Sequence, residues 1–477
     1  MNYKMVTYVL GWILVFEAIF LLVPCITAVV YGESALWYFL ATAVLCAVLG
    51  RLLTFRKRKN TTLYSRDGFV VVALSWIVMS IFGALPMWMC GAIPHYIDAL
   101  FETVSGFTTT GATILTDVEA MPRSVLMWRS FSHWVGGMGV LVFIMAFLPL
   151  SGGQNMHMMK AESPGPTVSK LVPRVKMTAL ILYAIYFALT LAEFILLLFG
   201  GMSIFEALNT AFATAGTGGF GIVNSSIGGY TPYVQIVVTV FMLLFSLNFN
   251  TYYLILLGKL RDAFSIEIKT FLGIVFVTIS IITVNVASMF ETFGEALRHS
   301  AFTVASLMSS TGFMTVDFDL WPELSKMLLI LVMFIGACAG STGGGIKVSR
   351  ILMLFKSLSK EMEMLVHPRQ VKKIKLDGHV VDHDTMRGVN VYMVSYVVIF
   401  MTSLVLLSFD DHSFTTNFTA VLATLNNIGP GLEAVGPTQN FAFFSIPSKL
   451  ILIFDMLAGR LELFPMLLLF KPSVWKR

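Results

Sequence analysis

The sequence predicts an all-α integral membrane protein in which two transmembrane helices precede four repeated helix–re-entrant loop–helix units. Three observations lead there. Of 477 residues, 57% are hydrophobic and only 12% are charged, about half the charged share of an ordinary soluble domain. Apolar runs of the ~20 residues needed to cross a bilayer recur along the chain. Between them a short, polar, glycine-centred stretch appears four times: Thr109-Thr110-Gly111, Gly216-Thr217-Gly218, Ser310-Thr311-Gly312 and Asn427-Ile428-Gly429. Irregular backbone at membrane depth is tolerated only where it is buried in protein or lines a cavity. The four stretches are therefore expected to form four walls of one pathway.

The order of elements follows from the charges. Lys and Arg cluster at residues 51–66, 160–176, 259–269, 347–375 and 471–477. The positive-inside rule puts all of these, and both termini, in the cytoplasm. Each cluster abuts a membrane segment, so they orient the chain rather than bind nucleic acid. The alternate connections carry Asp98, Glu102, Asp117, Glu119, Asp317, Asp319, Asp410 and Asp411. Helices over about 5–31 and 35–54 come first. The apolar run that opens the chain is too long for a signal-peptide core and stays as a helix. Outgoing helices then fall at about 68–92, 177–200, 266–290 and 388–409, and returning helices at about 124–150, 232–258, 325–356 and 446–470. This divides the chain into an N-terminal pair (1–60) and four units at 61–155, 156–262, 263–362 and 363–477.

Between the two helices of each unit lies a segment too short to cross and too long for a turn. It reads as a half-helix followed by a pore loop that ends in the polar glycine stretch. The repeat recurs every ~95–115 residues, and four like-oriented copies imply a pseudo-fourfold pore. Small or hydroxylated residues fill each lead-in, as in Ser105 to Thr110 and Thr303 to Thr311. Such residues also serve close helix packing, but their recurrence at the same place in four units favours the pore.

A dehydrated cation must recover its lost hydration from oxygens at fixed distances, and rings of backbone carbonyls supply them. Glycine permits the backbone conformations that turn successive carbonyls inward. Thr110, Thr217 and Thr311 are placed to add hydroxyls. Each half-helix presents its partly negative C-terminal end to the stretch, and Glu206 and Glu295 suit the positive ends of two of them. No carboxylate lies within a stretch, which argues against a divalent site. The expected ion is monovalent, with potassium favoured.

At this point the residues resemble a known family. Ser105-Gly106-Phe107-Thr108-Thr109-Thr110-Gly111-Ala112-Thr113 resembles the first filter of the Trk/Ktr/HKT superfamily of potassium transporters. Residues 336–347 resemble the glycine-rich break in its third unit, and Asn426-Asn427-Ile428-Gly429-Pro430-Gly431 its fourth filter. Gly459-Arg460-Leu461-Glu462, the closing residues 471–477 and the two extra N-terminal helices resemble the bacterial TrkH/TrkG branch. The resemblance implies potassium uptake across the bacterial inner membrane by a homodimer with one pore per subunit, surrounded by lipid. It also implies a cytosolic ring of TrkA-type subunits that bind nucleotide (NAD or ATP) and gate the pore. K+ is the transported ion, and no cofactor or enzymatic activity is implied for this chain. A glycine in all four stretches goes with potassium, whereas serine at the first goes with sodium in some relatives. A second glycine two positions on occurs only at Gly431, which implies fewer ordered ion sites than a tetrameric channel filter. Strict channel conduction and symport with H+ or Na+ both stay open.

Gly340-Ser341-Thr342-Gly343-Gly344-Gly345 interrupts the third returning segment. Phosphate binding is excluded by the missing Gly-Lys-Ser/Thr ending. A plain kink is one reading; a mobile gate under the filter is the sharper one, and the resemblance supports it. Arg460 falls within the last apolar segment, where a charge must face protein or water. It is expected either in an ion pair with Glu462, Asp455 or another unit, or beside the pore as a part of the gate. Glu17 is expected in a packing or dimer contact. Asn209, Asn248 and Asn250 are expected in helix–helix hydrogen bonds, with Asn248 and Asn250 as alternative vestibule residues. Cys25, Cys46, Cys90 and Cys338 lack metal-ligand or disulfide spacing and read as core residues. The eight histidines form no catalytic or metal-binding pair. The cytoplasmic stretch 356–387 is too short for a nucleotide-binding domain, so such regulation requires a separate chain. Its basic residues and those of 51–66 are candidate contacts for it.

Overall fold

A computed structural model of the chain describes residues 1–55, 65–139, 175–370 and 373–475. It is built almost wholly from helices. Among the described residues six helices are long and apolar enough to cross a membrane, or seven if one bent pair counts as a span. Tyr3–Phe20 and Leu22–Tyr31 together make the first span, and Leu36–Thr54 packs back along it. The crossing is close because Gly11 meets Gly50: a Cβ on Gly50 would lie 2.6 Å from the Gly11 carbonyl oxygen. Small residues at a crossing let membrane helices pack by direct contact.

Four sets of elements follow. Each begins with a long helix: Ser65–Met89, Val175–Phe199, Ile266–Val286 and His383–Leu407. A short helix comes next: Tyr96–Phe107, Ile204–Gly216, Phe293–Met308 and Phe414–Leu425. At 1.5 Å per residue these reach about 18–24 Å, less than the ~30 Å hydrocarbon core. The starts of the last three are fixed by local caps. Ser203 and Glu206 form a reciprocal capping box, Thr292 accepts from the Glu295 amide, and Ser413 accepts from the Thr416 amide. These caps satisfy orphan amides at a helix start. The side on which the short helices begin is taken as the upper side. A polar loop then climbs back, and a third helix descends: Arg123–Gly137, Pro232–Ser246, Glu323–Ile335 and Ile446–Arg460.

The descending helices are not continuous as expected from the sequence. The second breaks at Leu247 and resumes as Phe249–Leu256 with a bend of 91°. The third stops at Ile335 and resumes at Val348–Val366. The fourth stops at Arg460 and resumes as Phe464–Leu469 after Glu462 and Leu463, both at positive φ. Leucines run through the second and fourth breaks, so composition reads them as helix, whereas the glycine-rich third break was expected. The first descending helix ends at Gly137 with Met138 as its cap; residues 140–150 of the expected 124–150, the domain boundaries at 60/61 and 155/156, and most of the 160–176 basic cluster lie outside the described residues.

The sets pack in sequence, each descending helix against the next short helix. Arg123–Gly137 lies on Ile204–Gly216, Pro232–Ser246 on Phe293–Met308, and Glu323–Ile335 on Phe414–Leu425. Ile446–Arg460 lies on Tyr96–Phe107, which returns to the first set. The surface is apolar along the long helices, with Val30, Phe276, Val284, Val394 and Val405 exposed, while the interior joins a large apolar core to buried Thr, Ser and Asn side chains. Large exposed apolar faces are what a lipid-contacting surface requires.

Several expectations change here. Glu17 is fully buried with its carboxyl against Gly83, so it packs inside the chain and is no dimer-surface contact. Glu102 is fully buried and does not belong to the exposed acidic connections. Lys347 and Arg350 are buried, so they do not serve as surface orientation charges. Asn209 donates to Phe205 O in its own helix at 2.8 Å, and Asn248 caps Phe249–Leu256 by accepting from the Asn250 amide at 2.9 Å. Both bonds are local, not between helices. Cys25, Cys46 and Cys338 are buried and Cys90 half-buried, all as free thiols.

Candidate ion pathway

All four short helices end in the same way. Thr109, Thr217, Ser310 and Asn427 take left-handed φ of 55°, 54°, 59° and 53°. The residue after each donates its amide five positions back: Thr110 to Ser105 O, Gly218 to Ala213 O, Thr311 to Ser306 O and Ile428 to Ala423 O, at 2.8–2.9 Å. This is the hydrogen bond of a Schellman cap, which glycine usually makes. Threonine is β-branched and strained at positive φ, so four non-glycine residues held there imply an imposed geometry.

The next residue is glycine in every case, again at positive φ: Gly111 (79°), Gly219 (76°), Gly312 (83°) and Gly429 (97°). The second stretch is thus Thr217-Gly218-Gly219, one residue later than the expected Gly216-Thr217-Gly218. The other three stretches keep their expected register. Gly216 instead ends its helix, packed under the His133 carbonyl, where a Cβ would lie 2.3 Å away.

Side chains are excluded at these glycines by the neighbouring loop. A Cβ on Gly111 would sit 2.0 Å from Gly218 O, and one on Gly219 would sit 1.9 Å from Thr311 O. A Cβ on Gly312 would sit 2.1 Å from Ile428 O, and one on Gly429 would sit 2.7 Å from Thr110 O. Each glycine faces the carbonyl of the following loop, and the fourth faces the first. The contacts close into a cycle with one glycine and one carbonyl from each set.

Hydroxyls brace this cycle from behind. Thr110 Oγ1 bonds Thr108 Oγ1 at 2.8 Å and accepts from Asn427 Nδ2 at 2.9 Å; Thr311 Oγ1 bonds Ser309 Oγ at 2.6 Å; and Thr217 Oγ1 donates to Gly216 O at 2.6 Å. The hydroxyls of Thr110, Thr217 and Thr311 are thus each engaged in a hydrogen bond beside the loop backbone. Asn427 also donates to Met456 O at 2.9 Å, so it stitches the fourth loop to the first and to its own descending helix.

Above the glycines the loops are joined again. Val118 donates to Asn224 Oδ1 at 2.9 Å, Ile227 to Met314 O at 3.0 Å, Glu433 to Asp319 Oδ2 at 3.2 Å, and Phe441 to Thr113 O at 2.8 Å. Together they surround a bowl floored by Gly111, Gly219, Gly312 and Gly429 and walled by residues such as Asn224, Thr438 and Asn440. Asp117, Glu119, Asp317, Asp319 and Glu433 lie in the loops at its rim. The bond from Asn224 holds the Asp117 carboxyl below its ordinary range, and the bond from Ser413 does the same for Glu433. A negative rim over a low-dielectric cleft raises the local cation concentration.

Two buttresses of the first loop escaped the sequence reading. Buried Arg129 pairs with buried Glu102 at 2.7 Å. Glu102 also accepts from Thr113 Oγ1 (2.9 Å) and from the Ile114 amide (3.0 Å), while Arg129 donates to Gly221 O at 3.2 Å. The pair therefore ties the first loop to the second. His133 takes a comparable place: its Nδ1 lies 2.7 Å from Gly106 O and its ring blocks any Cβ on Gly218. The available signal was an arginine inside an apolar descending helix, since such a charge needs a partner.

Below the cycle lies the glycine-rich segment. Gly345 donates to Asn426 O at 3.1 Å, Gly344 to Ser310 Oγ, and Gly343 would place a Cβ 2.7 Å from Ser309 O. The segment thus presses on the ends of the third and fourth short helices. Phe249 donates to Gly340 O at 3.0 Å and Cys338 to Ser246 O at 3.1 Å, which fits the segment into the break of the second descending helix. Arg460 donates to Thr342 O at 2.8 Å, to Gly137 O at 2.6 Å, and to Gly136 O. Arg460 thereby connects the segment to the first set, so all four sets touch it directly or through one guanidinium. Glu462 pairs with Arg350, which stacks on Tyr392, and Asp455 is buried against Ser403 at 2.7 Å. Gly340 to Gly345 and Arg460 are therefore brought together. Among the described residues no group of His, Cys, Asp and Glu is arranged to hold a metal ion.

Comparison with known proteins agrees with this architecture over the whole chain. Residues 37–477 match the TrkH family of cation transport proteins. The Trk system potassium uptake protein TrkH of Escherichia coli K12 is 35% identical, with all of both chains covered. TrkG of the same organism is 33% identical over 99% of each chain. The crystal structure of the potassium transporter TrkH from Vibrio parahaemolyticus superposes with a TM-score of 0.90 at 31% identity, covering 100% of both chains. These relatives are transport proteins, not enzymes.

Proposed function

The chain belongs to the TrkH family of cation transport proteins, and on that premise we propose that it takes up potassium across the bacterial inner membrane. The observation that carries the reading is the closed cycle of glycine–carbonyl contacts among the four loops. Each of the four sets is then one quarter of a pseudo-fourfold pore, following the N-terminal pair. The loops Thr109-Thr110-Gly111, Thr217-Gly218-Gly219, Ser310-Thr311-Gly312 and Asn427-Ile428-Gly429 are the filter. Their carbonyls replace the hydration shell of the ion, and the acidic rim gathers cations at the outer mouth. The upper side faces outward, the termini face the cytoplasm, and the membrane potential drives entry by about 2.3 kcal/mol per charge per 100 mV.

Gly340 to Gly345 and Arg460 form the gate. The segment lies directly under the third and fourth filter loops, and Arg460 adds a positive charge beside it. Both features oppose cation passage while they stay in place. The family resemblance supports a homodimer and a cytosolic ring of TrkA-type nucleotide-binding subunits that moves this gate. Ion flux into proteoliposomes holding the purified protein tests the proposal. Potassium and rubidium are expected to enter and sodium and lithium to be excluded; equal entry of sodium and potassium overturns the filter reading.

A further inference from the structure

Glu267 stands at the second position of the helix Ile266–Val286, whose start is firmly held. Ser265 caps it by accepting from the Ile268 amide at 3.4 Å, and Asp377 accepts from the Ile266 amide at 2.7 Å. From this fixed base Glu267 Oε1 accepts from two backbone amides of another segment, Ala339 at 2.7 Å and Ser349 at 3.2 Å. Those two amides flank the glycine-rich segment on its two sides. A carboxylate in the first turn suits the helix dipole by itself. That role does not explain why one oxygen collects both ends of a loop 70 residues away in sequence.

We propose that Glu267 is a positioning residue that latches the glycine-rich segment in its blocking position by holding its two ends on one oxygen. The inference rests on reading that segment as the gate. Between the two amides the backbone is folded back by positive φ at Gly340 (70°), Gly345 (80°) and Lys347 (84°). Lys347, inside the fold, donates to Gly343 O. The two sides of the segment are also joined by Lys347 donating to Ile335 O at 3.0 Å and Val348 to Ala337 O at 3.2 Å. On the proposed latch, withdrawing the segment from beneath Ser309 and Asn426 draws Ala339 away from the helix that starts at Val348. That separation breaks at least one bond to Glu267. Bonds from amides to a carboxylate are charge-assisted, so they are stronger than the neutral bonds around them.

Single-channel recording of the purified full-length chain, with no other protein present, tests this. The set is the unaltered protein, E267A, E267Q and a variant lacking Gly343 and Gly344. E267A is expected to raise the ratio of open to closed time by at least about tenfold, the equivalent of one charge-assisted hydrogen bond. E267Q keeps an accepting oxygen and is expected to raise it less. The potassium-to-sodium permeability ratio is expected to stay the same in both, because no filter atom is touched. A purely structural role predicts fewer channels of unaltered open probability, and that result overturns the latch. Should E267A fail to insert, E267Q alone decides between a raised and an unaltered open probability. An effect of the shortened segment without any effect of Glu267 overturns the latch and leaves the gate standing. No effect of either removes both.

Discussion

The upper and lower halves of this molecule are built on opposite plans. Above, four loops end in the same cap, with left-handed φ within a few degrees of one another and hydrogen bonds of 2.8–2.9 Å. Below, the descending helices break in different ways: a 91° bend at Leu247, a glycine-rich segment at Gly336 to Lys347, and a left-handed pair at Glu462 and Leu463. An ion surrounded by oxygens needs equal distances from every side, so likeness among the four loops is what coordination demands. A gate needs one element that moves while the others stay, so unlikeness is what switching demands. The boundary runs through a few contacts, chiefly those of Ser309, Ser310 and Asn426 with Gly343, Gly344 and Gly345.

The comparison is sharpened most by damaging the upper cycle. Gly111→Ala must place a methyl 2.0 Å from Gly218 O at a φ of 79°. Strain and overpacking together cost of the order of 3–5 kcal/mol, and potassium flux in proteoliposomes is expected to be lost. Unaltered flux means the loops do not touch as described. Arg129→Ala leaves Glu102 buried without its cation, a change that destabilises by about 3–5 kcal/mol. A lower melting temperature and a lower potassium-to-sodium ratio are expected together, because the pair holds the first and second loops. A fall in stability with unaltered selectivity restricts the pair to folding.

Damage below is expected to act in the opposite direction. Arg460→Ala removes the donor to Thr342 O and Gly137 O along with a positive charge. Potassium flux is expected to rise several-fold with selectivity kept; unaltered flux in a protein that folds poorly points to a structural role. Asn427→Ala returns to the upper half with a milder change, the loss of two hydrogen bonds worth about 1 kcal/mol each. It opens the seam between the fourth and first loops, so a modest fall in the potassium-to-rubidium and potassium-to-sodium ratios is expected from bi-ionic recordings.

The smallest effect concerns pH. The carboxyls of Asp117 and Glu433 are held below their ordinary range by bonds from Asn224 and Ser413. Groups with a depressed folded pKa add stability above the unfolded value and lose it as pH falls through the folded one. Asp117 and Glu433 therefore keep their charge down through the ordinary carboxylate range near pH 4. Uptake at low potassium is expected to stay level from neutral pH to about 5. Asn224→Ala should move any acid decline to higher pH, and an identical profile removes Asn224 from the rim.

The long apolar helices were legible because apolar runs are strong, local signals. The loops were legible because a glycine beside threonine, serine or asparagine stands out at membrane depth. The register of the second loop was not. Gly216, Gly218 and Gly219 flank one threonine, and only the left-handed φ of Thr217 shows that it matches Thr109 rather than Thr110. The breaks at Leu247 and Leu461 to Leu463 were hidden for a different reason. They carry leucine as the surrounding helices do, and tertiary contacts such as that of Phe249 with Gly340 O impose the turn. Glu102 and Arg129 were obscured because their partner lies 27 residues away, on another helix.

The central claim is that selection and gating reside in separate halves. Bi-ionic potassium–sodium reversal potentials, recorded together with open probability for the variant lacking Gly343 and Gly344, test it most directly. The account predicts a changed open probability and an unchanged reversal potential. A reversal potential that shifts in step with open probability contradicts it, since the lower segment would then be part of the filter.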